Sequence, residues 1–205
     1  MIIKIKLTIL IVCMIASTFP TITVSPGSLQ EYPLNPQPTG QAGGPAQGIV
    51  VQGNYAYLGV GPRMAVVDIT NLAEPRLAGF TNPFPDFVQA VAVQGTKAYI
   101  AAGPAGLRVV DISSPANPVE VGSWDSPGYA EGLAVSGDTV FLADGPYGLW
   151  LVDVSSPAAP SKISTAFEMN YIYDVTVENR TAYLAVGGAG LLVADISNPA
   201  YFPST

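Results

Sequence analysis

Residues 131–160 read EGLAVSGDTVFLADGPYGLWLVDVSSPAAP, in which short apolar runs alternate with turn residues. The strands that this pattern predicts are 132–136, 139–143, 149–154 and 162–167. Gly137 lies between the first two strands, where it permits the positive φ of a tight hairpin. No window of the sequence has the 3.6-residue apolar period of a helix. The stretch therefore predicts an antiparallel unit of four strands.

The same unit recurs four times along the chain. The residues at the equivalent turn position, each 42 residues after the last, are Gly53, Gly95, Gly137 and Asn179. The strands are apolar at successive positions, which indicates that both faces of each sheet are buried. Sheets stacked around an axis satisfy this condition, so we predict an all-β fold, a β-propeller of about four four-stranded blades. The predicted blades are about 46–87, 88–129, 130–171 and 172–205.

The sequence leaves the closure of the propeller open, because the last copy stops after three predicted strands. One alternative is a small ring of four blades that closes in some other way. The other is an incomplete ring, which is a fragment of a larger propeller or a unit that needs a partner chain to close. We favour the second alternative. An open blade edge would allow self-association of the chain.

Three motifs carry a resemblance to a known family. They are VVDISSPANPVEVGSW at 109–124, LWLVDVSSPAAP at 149–160 and LLVADISNPA at 191–200. They resemble the LVIVD repeat family of exported bacterial and archaeal proteins, over roughly residues 46–202. The resemblance implies a propeller-like fold and a surface or extracellular location. It implies no activity.

The N-terminus has the order of features that is typical of a secretory signal. Lys4 and Lys6 precede an apolar run from Leu7 to Ala16, and small residues follow. The run is shorter than the roughly 20 residues that a membrane span needs. We therefore predict a signal peptide at 1–24, a Pro/Gly-rich linker at 25–45, and a secreted or cell-surface protein with no membrane span in the mature chain.

The composition excludes several classes of function. The chain has 8 Lys and Arg, 15 Asp and Glu and a formal net charge of -7, which gives no cationic surface for nucleic acid. There is no histidine, and the single cysteine, Cys13, lies in the N-terminal apolar run. Ser–His and Cys–His nucleophiles and histidine-based zinc sites are therefore excluded. We predict no metal and no cofactor, and an enzyme is the less favoured class.

One aspartate lies near the end of the third predicted strand of every copy. These residues are Asp68, Asp111, Asp153 and Asp195. A ring of carboxylates around a cation is one interpretation of the pattern. We favour a structural one, in which each carboxylate accepts backbone N–H bonds of the turn that follows it.

One end of the predicted propeller is aromatic and acidic. The chain direction brings together the loop before the first strand of each blade and the loop between its second and third strands. The candidate ligand-binding residues at this end are Phe87, Gln89, Trp124, Tyr129, Glu131, Tyr147, Tyr171, Tyr173 and Asp174. Aromatic rings with a few carboxylates suit sugars or a cationic peptide. The alternative is that the rings pack between blades or fill the central channel.

These observations predict a non-catalytic, exported or cell-surface propeller that acts as a binding module for a protein or a glycan. The first alternative is a carboxylate-based hydrolase, since Glu131 and Asp174 fall at the same end of neighbouring blades. The second alternative is a purely structural repeat segment of a larger surface protein, which would bind no ligand.

Overall fold

The computed structural model describes residues 46–168 and 170–198 of the chain. The predicted signal peptide at 1–24 and the linker at 25–45 lie outside the described residues, as does the chain from 199 to 205. Among the described residues, no helix is long and apolar enough to cross a membrane.

The fold is all-β, and four antiparallel sheets form the blades of a β-propeller, which confirms the predicted fold class. Blade 1 contains β1 (Ala46–Gln52), β2 (Tyr55–Val60), β3 (Arg63–Asp68) and β4 (Arg76–Phe80). Blade 2 contains β5 (Ala90–Gln94), β6 (Lys97–Ala101), β7 (Leu107–Asp111) and β8 (Val119–Trp124). Blade 3 contains β9 (Gly132–Ser136), β10 (Thr139–Ala143), β11 (Leu149–Asp153) and β12 (Ser161–Ala166). In blade 4 the described strands are β13 (Ile172–Glu178), β14 (Thr181–Val186) and β15 (Gly190–Asp195).

Turn chemistry explains why each repeat folds into consecutive hairpins. Gly53, Gly95 and Gly137 have φ of 59°, 60° and 57° between the first two strands of their blades. In blade 4 the same position is Asn179, at φ 56°, and asparagine is among the residues that best tolerate this conformation. Within each blade, every strand therefore pairs with the next one along the chain.

The hydrophobic core lies between the blades. Among the described residues it divides into three clusters, one for each pair of consecutive blades. Between blades 2 and 3, for example, Leu107 and Val109 of β7 are buried against Leu142 and Val152. Both faces of the inner blades are therefore covered, which accounts for the apolar runs in their strands.

Small residues stand where the innermost strands converge. β1 lies beside β5, β5 beside β9 and β9 beside β13. A Cβ atom on Gly48 would lie 2.8 Å from the Cα atom of Ala90, and one on Gly132 would lie 2.8 Å from the Cα atom of Asp174. These approaches require glycine, and they set the spacing of the blades.

Candidate functional site

The aromatic residues before the inner strands are held in place by the preceding blade. Phe87, Tyr129 and Tyr171 occupy equivalent positions before β5, β9 and β13. Their rings lie over Gly61, Gly103 and Gly145, the turn residues that follow the second strand of the blade before. The residue after each ring donates its backbone N–H to the carbonyl oxygen of the same glycine, at 2.9 Å, 3.0 Å and 2.9 Å in chain order.

A polar side chain two residues after each ring extends the arrangement to the next blade. The Gln89 amide donates a hydrogen bond to the Tyr129 hydroxyl at 2.9 Å. The Tyr171 hydroxyl donates to the Glu131 carboxylate at 2.7 Å. In blade 4 the equivalent residue is Tyr173, whose ring centroid lies 4.6 Å from that of Tyr171. We call this set the tyrosine ladder, and its members are Phe87, Gln89, Tyr129, Glu131, Tyr171 and Tyr173.

The surroundings of Tyr129 and Tyr171 in the ladder raise the pKa values of these two phenols. The hydrogen bond to Glu131 raises the pKa of Tyr171 to about 12, with smaller contributions from burial and from neighbouring charges. Burial raises the pKa of Tyr129, and the negative charges of Glu131 and Asp86 add to the effect. Both hydroxyls therefore remain neutral hydrogen-bonding groups at physiological pH.

The ladder leaves surface and bonding capacity for a ligand. Tyr173 is 54% exposed, and Phe87 and Tyr171 are exposed as well. Tyr129 accepts the bond from Gln89 and still carries its own hydroxyl proton. Within the described part of the chain, Glu131 accepts the bond from Tyr171 through Oε1, and its second carboxylate oxygen remains available at the same place.

Three of the predicted site residues lie outside the ladder. Tyr147 is exposed on the β10–β11 loop, with its ring against Gly128. Asp174 packs against Gly132 and accepts the backbone N–H of Val175 at 2.9 Å. Asp174 and Glu131, the two carboxylates of the hydrolase alternative, therefore accept hydrogen bonds from different partners.

Trp124 belongs to a different cluster from the tyrosines. Its ring centroid lies 5.3 Å from that of Trp150, at the interface of blades 2 and 3. Lys162 Nζ stands 4.3 Å from the centroid of the Trp150 ring. The described ring contact of Trp124 thus corresponds to the packing alternative that the sequence left open for the aromatic residues.

Asp144 is a buried acid at the same end of the molecule that the sequence analysis did not select. The Ser126 hydroxyl donates to its Oδ1 at 2.5 Å, and the Gly128 N–H donates to its Oδ2 at 2.9 Å. Burial raises the pKa of Asp144, and these two bonds act in the opposite direction. The sequence contains a signal for this residue, because the equivalent positions of the other three blades hold apolar residues, Val60, Ala102 and Val186.

The four repeated aspartates share one local contact. Every one of them accepts a backbone N–H from the residue two positions later, at 2.8 Å in all four turns. The donors are Thr70, Ser113, Ser155 and Ser197. Hydrogen bonds from Ser113 and an ion pair with Lys97 at 3.0 Å lower the pKa of Asp111 to about 2. Among the described residues, no three acidic, histidine or cysteine side chains stand together as a metal site would require.

Comparisons with known proteins agree with this architecture. No curated protein matches the sequence. The crystal structure of the computationally designed Ika4 protein superposes with a TM-score of 0.64 at 13% identity, over 78% of this chain and 95% of the designed one. The computationally designed Ika8 protein superposes with a TM-score of 0.61 at 14% identity, over 74% of this chain and 46% of its own. This chain therefore spans about half the length of Ika8, and at these identities the likeness concerns the fold alone.

The LVIVD repeat matches the sequence four times, which is most of the chain. The matched residues are 43–82, 87–126, 127–165 and 171–203. These segments coincide with the four blades, and each contains one of the repeated aspartates. The chain belongs to the LVIVD repeat family.

Proposed function

We propose that this protein is an exported, non-catalytic interaction module, and that it binds a glycan or a protein through the tyrosine ladder. The observation that carries the proposal is the recurrence of one arrangement in consecutive blades. Tyr129 and Tyr171 each lie on a glycine turn, and each forms a hydrogen bond with a polar side chain of the neighbouring blade, Gln89 and Glu131 respectively.

A glycan is the ligand that fits this surface best. Sugar rings present flat C–H faces, which pack on aromatic side chains, and hydroxyl groups, which need donors and acceptors beside the ring. The ladder offers the exposed rings of Tyr171 and Tyr173 next to the carboxylate of Glu131. A protein segment is the second ligand class, with a cationic side chain near Glu131.

Export is supported by the charged and apolar N-terminal pattern and by the family, whose members are exported proteins. The absence of histidine from the sequence supports a non-catalytic role. Mass spectrometry of the protein from the culture medium or cell envelope tests export. A form that begins near residue 25 is expected, whereas an intact N-terminus in the cytoplasm contradicts the proposal.

The binding test compares ladder variants with a matched control. We expect the wild-type protein to bind members of a glycan panel in isothermal titration calorimetry, and Tyr171→Ala and Tyr173→Ala each to weaken binding by at least about tenfold. Leu72→Ala is the control, because Leu72 is an exposed apolar residue on the β3–β4 turn, at the opposite end of its blade. Its affinity should equal that of the wild type.

Two further variants separate binding from hydrolysis. If Glu131→Gln and Asp174→Asn abolish release of product while binding remains, the hydrolase alternative is correct. If neither glycans nor basic peptides bind at millimolar concentration, the ladder is a structural feature and the binding proposal is wrong.

A further inference from the structure

Two sheet faces at the ends of the blade array are apolar, and no blade among the described residues covers them. Ile49 and Val51 on β1 form the free face of blade 1, and Leu191 and Val193 on β15 form the free face of blade 4. Ile49 is 69% exposed and Leu191 is 68% exposed. We propose that a second copy of this chain covers both faces, so that two copies close one ring of eight blades.

The first argument compares the free face of blade 4 with its equivalents. Leu191 corresponds in the repeat to Leu149 and Leu107, which are fully buried against the following blade. Val193 corresponds to Leu151 and Val109, which are also fully buried. The residues of blade 4 are therefore of the type that packs on another blade, but the described structure contains no blade that covers them.

The free face of blade 1 corresponds to the other half of each blade interface. Ile49 corresponds to Val91, Leu133 and Val175, each of which is buried against the blade before it. Val51 corresponds to Val93, Val135 and Val177, which are partly buried in the same three clusters. The face of blade 1 thus matches the half of the interface that blade 4 lacks.

The occupant follows from this match. Three blade interfaces inside the molecule join a face like that of blade 4 to a face like that of blade 1, so the fitting surface for each end is the other end. Within the described residues the two faces do not cover each other, because Ile49 and Leu191 are both exposed. Among the described residues, β13 makes no contact with β1 comparable to that of β9 with β13.

Two copies satisfy both faces at once. Each copy places its blade 4 on blade 1 of the other, which gives two identical interfaces related by a twofold axis. Head-to-tail interfaces of this kind form a closed ring when the rotation per copy completes a circle. The result has eight blades, within the range of known propellers.

The test is the mass of the protein in solution, measured by sedimentation velocity over a concentration series. We expect a single dimeric species at micromolar concentration. Leu191→Lys and Ile49→Asp each introduce a charge at both interfaces, so each variant alone should raise the dimer dissociation constant by at least about a hundredfold. Both side chains are exposed in one copy, so the fold of that copy should survive, and circular dichroism verifies this.

A mixture of the two variants distinguishes head-to-tail association from other arrangements. A Leu191→Lys chain retains a native blade 1, and an Ile49→Asp chain retains a native blade 4. A dimer of one chain of each kind therefore contains one native interface and one interface with a Lys–Asp pair. We expect the mixture to recover dimer that neither variant forms alone. Val119→Lys is the control, since Val119 is exposed on blade 2, whose two faces are already packed.

Three results would overturn the proposal. They are a wild-type monomer at all concentrations, a polydisperse series of larger species, and a dimer that either single variant leaves intact. Because these measurements require no ligand, their outcome is independent of the function proposed for the tyrosine ladder.

Discussion

Asp144 shows how a single residue adds pH dependence to an otherwise apolar position. Its carboxylate is fully buried and joins the β10–β11 turn of blade 3 to the segment between blades 2 and 3 through Ser126 and Gly128. Ionisation of a buried group is unfavourable, which is why the pKa of Asp144 is raised. The folded state therefore holds the Asp144 proton more tightly than the unfolded state does.

Asp144→Asn is expected to stabilise the protein increasingly as the pH rises. A raised folded-state pKa gives stability that is fully present below the ordinary pKa of 3.8 and is lost as the pH rises through the folded value. An amide stays neutral at every pH and can accept from Gly128 and donate to Ser126. We expect the Tm of the variant to exceed that of the wild type by about 3 °C at pH 8 and to equal it at pH 3.

Asp144→Ala serves as the control, because it removes the charge and both hydrogen bonds together. It should lower the Tm at both pH values, since Ser126 and Gly128 lose their acceptor. A constant difference between Asp144→Asn and the wild type from pH 3 to pH 8 would show that Asp144 does not titrate with folding.

Asp111 has the opposite effect on the pH dependence of stability. Its lowered pKa gives stability that is present above pH 3.8 and is lost as the pH falls towards 2.

At the rim of the molecule, the outer strand of one blade packs against a turn of the next blade, and this contact fixes the packing of neighbouring blades. Gly79 on β4 and Gly122 on β8 occupy equivalent positions, and each faces the proline-containing turn of the following blade. A Cβ atom on Gly79 would lie 2.7 Å from the carbonyl oxygen of Pro115. A Cβ atom on Gly122 would overlap the carbonyl oxygen of Pro157. The strand and the turn therefore meet backbone to backbone.

Gly122→Ala is expected to destabilise the protein by about 1–3 kcal/mol, because the added methyl group separates blades 2 and 3. Chemical denaturation measures the loss. The matched control is Gly137→Asn, which also removes a glycine but at a turn with nothing within 4 Å, where blade 4 has Asn179. Equal stability of Gly122→Ala and the wild type would mean that the rim contact is adjustable.

The strands were predictable from the sequence because turn residues and apolar runs act locally. In blade 3 the strand predicted at 149–154 is β11, which ends one residue earlier. The strand predicted at 162–167 is β12, which begins and ends one residue earlier. The hydrogen bond from Gln89 to Tyr129 and the pairing of Trp124 with Trp150 join residues of different blades. They depend on the angle between sheets, which no local pattern encodes, so the tyrosine ladder was predicted only as a group of residues at one end.

The whole molecule behaves as an array in which each blade is stabilised by its neighbours. Blades 2 and 3 have packed faces on both sides, whereas blades 1 and 4 have one each. In such arrays the stability of a unit is close to the sum of its own contribution and its interfaces. The end blades should therefore open more often than the central ones whenever their free faces are uncovered.

Hydrogen exchange measured by mass spectrometry can report this difference blade by blade. In the monomeric Leu191→Lys variant we expect β1 and β15 to exchange at least about tenfold faster than β6 and β10, since local opening requires less free energy where one face is solvated. In the wild type at a concentration that favours the dimer, β1 and β15 should gain protection while β6 and β10 change little. Such a pattern would locate the new interface at both ends of the array, as head-to-tail closure requires. Protection gained at only one of the two strands would instead indicate a contact between identical faces, and unchanged exchange throughout would mean that the end faces remain in solvent.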